Sequence, residues 1–176
     1  MSFKIVPMIK EEEISKRIAE LGKTISKDYE GDNLYLLGIL KGSIMFMTKL
    51  MENIDNEKME IDFMSVSSYG NEFESSGDVR ILKDIDESIE GKNVLIIEDI
   101  VDTGKTMQRL KEMLLARKPK SLKICTLLDK PSRRVVDIKP EYVGFTIENK
   151  FVAGFGLDLE QCYRQLPFVG EVVFEK

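Results

Sequence analysis

The 176-residue chain has no histidine. That removes the side chain that titrates nearest neutral pH, and with it histidine general bases, His-containing triads and zinc sites built on imidazole. Cysteine is scarce. Cys125 and Cys162 are isolated, without CxxC spacing or a secreted disulfide pattern, so two reduced thiols are expected. An excess of positive charge is also missing. The formal net charge is -5, which provides no general attraction to nucleic acid or to an anionic membrane, so any phosphate site must be local. Long apolar runs are absent too. The densest one near the N-terminus, Leu34–Leu40, is far shorter than the roughly 20 residues that span a bilayer. Met1-Ser2-Phe3-Lys4 leads toward an acidic run rather than the apolar core of a signal peptide. The expectation is a cytoplasmic protein with no membrane or nucleic-acid partner.

What remains is a soluble globular composition, 43% hydrophobic and 32% charged, over a length that suits one domain spanning 1–176. Glu11-Glu12-Glu13 followed by Ile14, Ile18, Leu21 and Ile25 predicts an amphipathic helix with acids at its favourable end, stopped by Gly31-Asp32-Asn33. Leu34–Leu40 predicts a strand buried on both faces. After the polar turn Lys41-Gly42-Ser43, a helix is expected from Ile44 to Met51. Further strands are expected near 61–66, 79–82, 94–97, 122–128, 142–147 and 172–174, with a less regular region over 151–158. Strands alternating with helices point to an open parallel α/β sheet flanked by helices. In such sheets ligands sit beyond the carboxyl ends of the strands. The polar turns at Lys41, at Glu98 to Thr106 and at Lys130 all fall there.

The turn after the strand at 94–97 is the richest in chemistry. Val94, Leu95, Ile96 and Ile97 are followed by Glu98, Asp99 and Asp102, then by Thr103-Gly104-Lys105-Thr106, where a helix begins with Met107, Leu110 and Leu114 on one face. Carboxylates at the mouth of a buried strand can accept hydrogen bonds from sugar hydroxyls or hold hydrated Mg²⁺, and a helix N-terminus offers free N–H groups to a phosphate. Thr-Gly-Lys-Thr looks like the end of a P-loop. A P-loop, however, needs glycine five positions before Gly104, and Asp99 stands there. Gly154-x-Gly156 fails the dinucleotide fingerprint because Leu159 occupies the third glycine position.

Taken whole, Glu98-Asp99-Ile100-Val101-Asp102-Thr103-Gly104-Lys105-Thr106 resembles the phosphoribosyl-pyrophosphate (PRPP) motif of type I phosphoribosyltransferases. The resemblance runs from about Leu34 to the C-terminus. It includes Leu40-Lys41-Gly42-Ser43, the loop opening at Ser68-Tyr69, Leu127-Leu128-Asp129-Lys130, and Lys150-Phe151-Val152-Ala153-Gly154-Phe155-Gly156-Leu157-Asp158 with Arg164, all similar to the 6-oxopurine branch. It departs at Leu159, where some members carry an aromatic, and at Ser67, where some carry lysine.

The resemblance implies a hood formed by the terminal segments and transfer of the phosphoribosyl group from PRPP to hypoxanthine or guanine. A preference for xanthine or another base, or a non-catalytic PRPP sensor, stays open at this point. It further implies that Glu98 and Asp99 hold the ribose, directly or around Mg²⁺, with Asp158 facing a second metal or pyrophosphate. Thr103, Gly104, Lys105 and Thr106 would wrap the 5′-phosphate, and Asp102 would take the purine N7 proton. Lys130, Phe151, Val152 and Asp158 would bind the purine. Lys41, Gly42 and Arg164 would bind pyrophosphate, with a cis peptide before Lys41. A mobile loop would start at Ser68 and Tyr69, and the chain would form a homodimer or homotetramer.

Overall fold

The computed structural model describes residues 2–68 and 79–175. In chain order the described elements are β1 (Phe3–Ile9), α1 (Glu11–Asp28), β2 (Leu34–Leu40), α2 (Ile44–Met51), β3 (Met59–Ser68), β4 (Val79–Lys83), β5 (Asn93–Val101), α3 (Lys105–Leu115), β6 (Ser121–Asp129), β7 (Tyr142–Thr146), β8 (Val152–Ala153) and β9 (Val169–Phe174), with a 3-10 turn at Pro131–Arg133. Tyr69 and the rest of the expected loop lie outside the described residues, as does the side chain of Ser68.

The main sheet has the order β4-β3-β2-β5-β6-β7. The middles of its central strands are largely apolar because both of their faces are covered. Leu34 and Leu36 of β2, Leu95 and Ile97 of β5, and Cys125 and Leu127 of β6 pack with the apolar faces of α1 and α2. The intervening Tyr35, Leu37, Val94, Ile96, Leu122 and Ile124 pack with Met107, Leu110 and Leu114 of α3. The two helical layers follow from crossover handedness. From β2 the chain steps through α2 to β3 on one side; from β5 it steps through α3 to β6 on the other. Right-handed crossovers running in opposite directions put the two helices on opposite faces. The order reverses between the neighbours β2 and β5, whose carboxyl ends therefore open a crevice.

The expected parallel sheet is corrected at one edge, where β4 runs antiparallel to β3. The 69–78 segment is too short for a parallel crossover, which needs about a dozen residues or more. A second sheet, β1-β9-β8, joins the two ends of the chain into the hood. Its β1 has no counterpart among the expected strands, because Pro7 interrupts the pattern; the proline is tolerated where β1 pairs with β9 alone and its register shifts between Pro7 and Ile9. Among the described residues no helix is long and apolar enough to cross a membrane.

One buried acid ties the β2–β4 edge together. Asp62 accepts from the Tyr35 hydroxyl at 2.6 Å and from the N–H groups of Asp86 and Phe63, each at 2.7 Å, with Lys83 at 3.5 Å. Burial raises its pKa, but these donors outweigh burial and hold the carboxyl below the usual range. A depressed folded pKa means stability that is present above the ordinary carboxylate value and lost as pH falls through the folded one. Thermal melts should therefore show Asp62→Asn less stable at pH 7 by about 1–3 kcal/mol. The gap to wild type should narrow below about pH 4.

Candidate active site

The crevice between β2 and β5 begins where their pairing ends. β5 stays in register with β6 from Asn93 to Val101, but pairs with β2 only as far as Gly38↔Ile97. Glu98 and Asp99 therefore lie inside β5 rather than in the turn that was expected to carry them. They occupy its free edge at the switch point. Asp99 donates its N–H to Glu98 Oε1 at 3.2 Å and accepts from the Ile100 N–H at 2.7 Å. Burial, then the negative charge of Asp99, drives the Glu98 pKa well up. Burial also raises that of Asp99, against opposing hydrogen bonds and the positive charge of Arg164. No basic side chain figures among the main influences on Glu98. The pair is an acid site waiting for a hydroxyl or cationic partner.

Asp102, Thr103 and Gly104 form the turn from β5 into α3. Gly104 is the N-cap of α3 at φ 84° and has no side chain with which to cap it. The first-turn N–H groups of a helix have no intrahelical acceptor. Beside this turn lies a cleft of about 130 Å³ lined by Glu98, Ile100, Val101, Asp102, Thr103, Gly104, Thr106 and Met107. A small anion with an attached polyol fits that chemistry: N–H groups and threonine hydroxyls at one end, carboxylates at the other.

The β6 end delivers the third component. Lys130 is buried, at 6% exposure. Burial pushes its ammonium pKa down, partly offset by Asp102. Its N–H donates to the Val101 carbonyl at 3.0 Å, which holds it beside the β5 end. Two arginines not foreseen as part of the site fix this arrangement. Arg134 donates to the Asp102 carbonyl at 2.6 Å and pairs with the Asp129 carboxylate. Arg133 lies 3.3 Å from Asp102 Oδ1. The signal was present as a basic pair just after Lys130, but adjacency alone reads as a solvated surface run.

The hood supplies the rest. Val152 is buried in β8 against β9. Phe151 is 52% exposed, not a core aromatic, and stacks on Phe174 with centroids 6.3 Å apart. Asp158 accepts from Arg164 at 2.8 Å and from the Gln161 N–H at 2.8 Å. Arg164 also donates to the Gly156 carbonyl at 2.7 Å. The peptide bond between Leu40 and Lys41 is cis. A Cβ on Gly42 would stand 1.7 Å from Asp99 Oδ2, and one on Gly156 would stand 2.0 Å from the Gly42 carbonyl. Glycine at both positions is what lets the loop after β2 fit between the acid pair and the hood. Lys41, Gly42, Glu98, Asp99, Asp102, Lys130 and Arg164 thus come from three strand ends and the hood. Glu98, Asp99 and Asp158 do not form a three-carboxylate cluster, and no group of three or more potential protein ligands to a metal is found among the described residues.

A family model described as Phosphoribosyl transferase domain matches residues 7–160. The hypoxanthine phosphoribosyltransferase of Salmonella typhimurium is 52% identical over 175 residues, covering 98% of each chain. The hypoxanthine-guanine phosphoribosyltransferase of Lactococcus lactis is 52% identical over 163 residues, 93% of this chain and 88% of that one. Among solved structures, a Bacillus anthracis hypoxanthine-guanine phosphoribosyltransferase with HEPES in its active site superposes with a TM-score of 0.93 at 47% identity, covering 97% of this chain and 100% of that chain.

Two outcomes follow from this geometry. A raised folded pKa favours stability below the ordinary carboxylate range and loses it as pH rises through the folded value. Glu98→Gln, which cannot ionise, should therefore melt higher than wild type at pH 7–8 without ligand, and the difference should vanish in acid. Arg134→Ala leaves Asp129 buried and unpaired, and should cost about 3–5 kcal/mol in denaturant unfolding.

Proposed function

The chain belongs to the phosphoribosyltransferase family, in its hypoxanthine-guanine branch, and on that premise we propose how its own residues carry out the transfer. The enzyme moves the 5-phosphoribosyl group of PRPP to a 6-oxopurine. The C1–oxygen bond to pyrophosphate breaks as the purine nitrogen bonds to C1, and the purine loses a proton. The observation that carries the reading is the meeting, at the β2/β5 switch point, of an acid pair, a helix N-terminus and the Asp102–Lys130 couple.

Glu98 and Asp99 accept hydrogen bonds from the ribose hydroxyls. Thr103, Gly104, Lys105 and Thr106 take the 5′-phosphate at the start of α3. Positive charge grows on the ribose as the glycosyl bond loosens, by analogy with other glycosyl displacements, and the nearby carboxylates favour it. Lys130 donates to the purine 6-oxo group and Asp102 accepts the N7 proton. Phe151 stacks on the base, while Val152 backbone groups meet its edge. Lys41, Gly42 and Arg164 receive the pyrophosphate.

Magnesium suits this donor set as an ion arriving with PRPP. It prefers hard oxygens, keeps several waters and needs only one or two protein carboxylates, which Glu98 and Asp99 provide and Asp158 supplements. When bound it would neutralise phosphate charge. Homo-oligomer formation is supported by the apolar cleft of about 320 Å³ beside Ile44, Met45, Thr48 and Lys49 on α2.

Initial rates with PRPP and Mg²⁺ against hypoxanthine, guanine, xanthine and adenine test the reading. Hypoxanthine and guanine should be turned over; product from xanthine or adenine alone would sink it. Asp102→Asn should lower kcat by about 10²–10⁴-fold with the substrate KM values little changed.

A further inference from the structure

The turn between Asp158 and Arg164 contains a residue that neither the sequence motifs nor the assigned roles use. Leu159 and Cys162 bridge across it, leaving Glu160 and Gln161 at its tip with φ of 52° and 67°. The Gln161 side chain does not point to solvent alone. Its Oε1 accepts from Lys41 Nζ at 3.2 Å and from an Arg164 guanidinium N–H at 3.2 Å. Its backbone N–H is held by Asp158 Oδ2 at 2.8 Å. One neutral oxygen thus lies between two cations, of which Arg164 is also paired with Asp158 at 2.8 Å. Lys41 comes from the loop after β2, and Arg164 from the hood. Two like charges facing each other repel unless an acceptor stands between them.

We infer that the Gln161 amide oxygen is a substitute ligand: it occupies, in the free enzyme, the position that a pyrophosphate oxygen takes between Lys41 and Arg164, and it is exchanged for that oxygen when PRPP or pyrophosphate binds. The inference rests on Lys41 and Arg164 being the pyrophosphate cations. Neutrality is central to the role. An amide oxygen keeps both cations in place but accepts more weakly than a phosphate oxygen, so charge-assisted bonds to the ligand displace it. A carboxylate at the same position would hold the cations as ion pairs and compete with the ligand. A side chain with no acceptor there would release Lys41 and leave Arg164 one acceptor fewer, held by Asp158, so both would meet the ligand more readily.

The test is the sign of the effect. Gln161→Glu should raise the KM for PRPP and the inhibition constant for pyrophosphate, each by about fivefold or more, since an exposed ion pair is worth up to about a factor of five and two are formed. Gln161→Leu should lower both by about threefold, an exposed neutral hydrogen bond being worth less than an ion pair. Gln161→Asn suits the left-handed backbone but is one methylene shorter, and should act like Leu. The KM for hypoxanthine should not move in any of the three. A purely structural role predicts shifts in the same direction for Glu and Leu, and that outcome, or unchanged constants in all three variants, overturns the inference. Arg164→Ala separates the two layers. If it leaves the PRPP and pyrophosphate constants at wild-type values, the pyrophosphate role of Arg164 has failed. If it weakens both while the Gln161 variants match wild type, only the exchange at Gln161 has failed.

Discussion

Two carboxylates on adjacent residues of one strand cannot both stay ionised, away from water, without a partner that stabilises their charge. Glu98 and Asp99 sit under that constraint, and the features around them follow from it. The residues of the strand before them, from Asn93 to Ile97, are buried, which resists a backbone shift that would relieve the repulsion. Gly42 comes so close to Asp99 that no side chain fits between them, which keeps the acid surrounded. That cost remains in the free protein, and a partner supplying hydrogen-bond donors or positive charge would relieve it. An active site that destabilises its own fold in the absence of substrate gains selectivity for a ligand that supplies those groups.

The positive half of the site is handled differently. Lys130 is buried and kept near Asp102, while Lys41 and Arg164 meet across the neutral Gln161 amide and Arg164 also pairs with Asp158. Arg134 pairs with Asp129 and joins two strand ends. It donates to the carbonyl of Asp102 and pairs with Asp129 at the β6 end, which links the turn between β5 and α3 to the segment that carries Lys130. Arg134 and Arg164 are thus each held by a carboxylate, Asp129 and Asp158, while Lys41 is held by a neutral amide.

The hood shows how the ends of the chain serve the site. Phe151 stands half exposed with its ring stacked on Phe174 of β9, and Phe174 in turn meets Phe3 of β1 edge-on at 6.4 Å. Phe3 also packs edge-on against Tyr163, in the turn that carries Asp158 and Arg164. Phe151 and the turn from Asp158 to Arg164 therefore share a support made from the first and last strands. Neither strand would be stable alone; β9 is held between β1 and β8, which completes a three-stranded sheet.

From the residues alone, several things were determined: the alternation of buried strands with amphipathic helices, the polar turns at their carboxyl ends, the exclusion of histidine chemistry and P-loop binding, and the motif that marks the family. These are local properties, set by periodicity and by residue type at fixed spacing. The tertiary structure decided what depends on distant segments meeting. It put Glu98 and Asp99 within the strand, because pairing with β6 continues past the point where β2 departs. It made β1 a strand despite Pro7, because a partner strand from the other end of the chain completes its hydrogen bonds. It turned β4 antiparallel, and it brought Arg134 to Asp102 and Gln161 to Lys41 across 32 and 120 residues of chain. No spacing rule in a sequence encodes those meetings, since they arise only when the sheet order reverses and two strand ends are left facing one another.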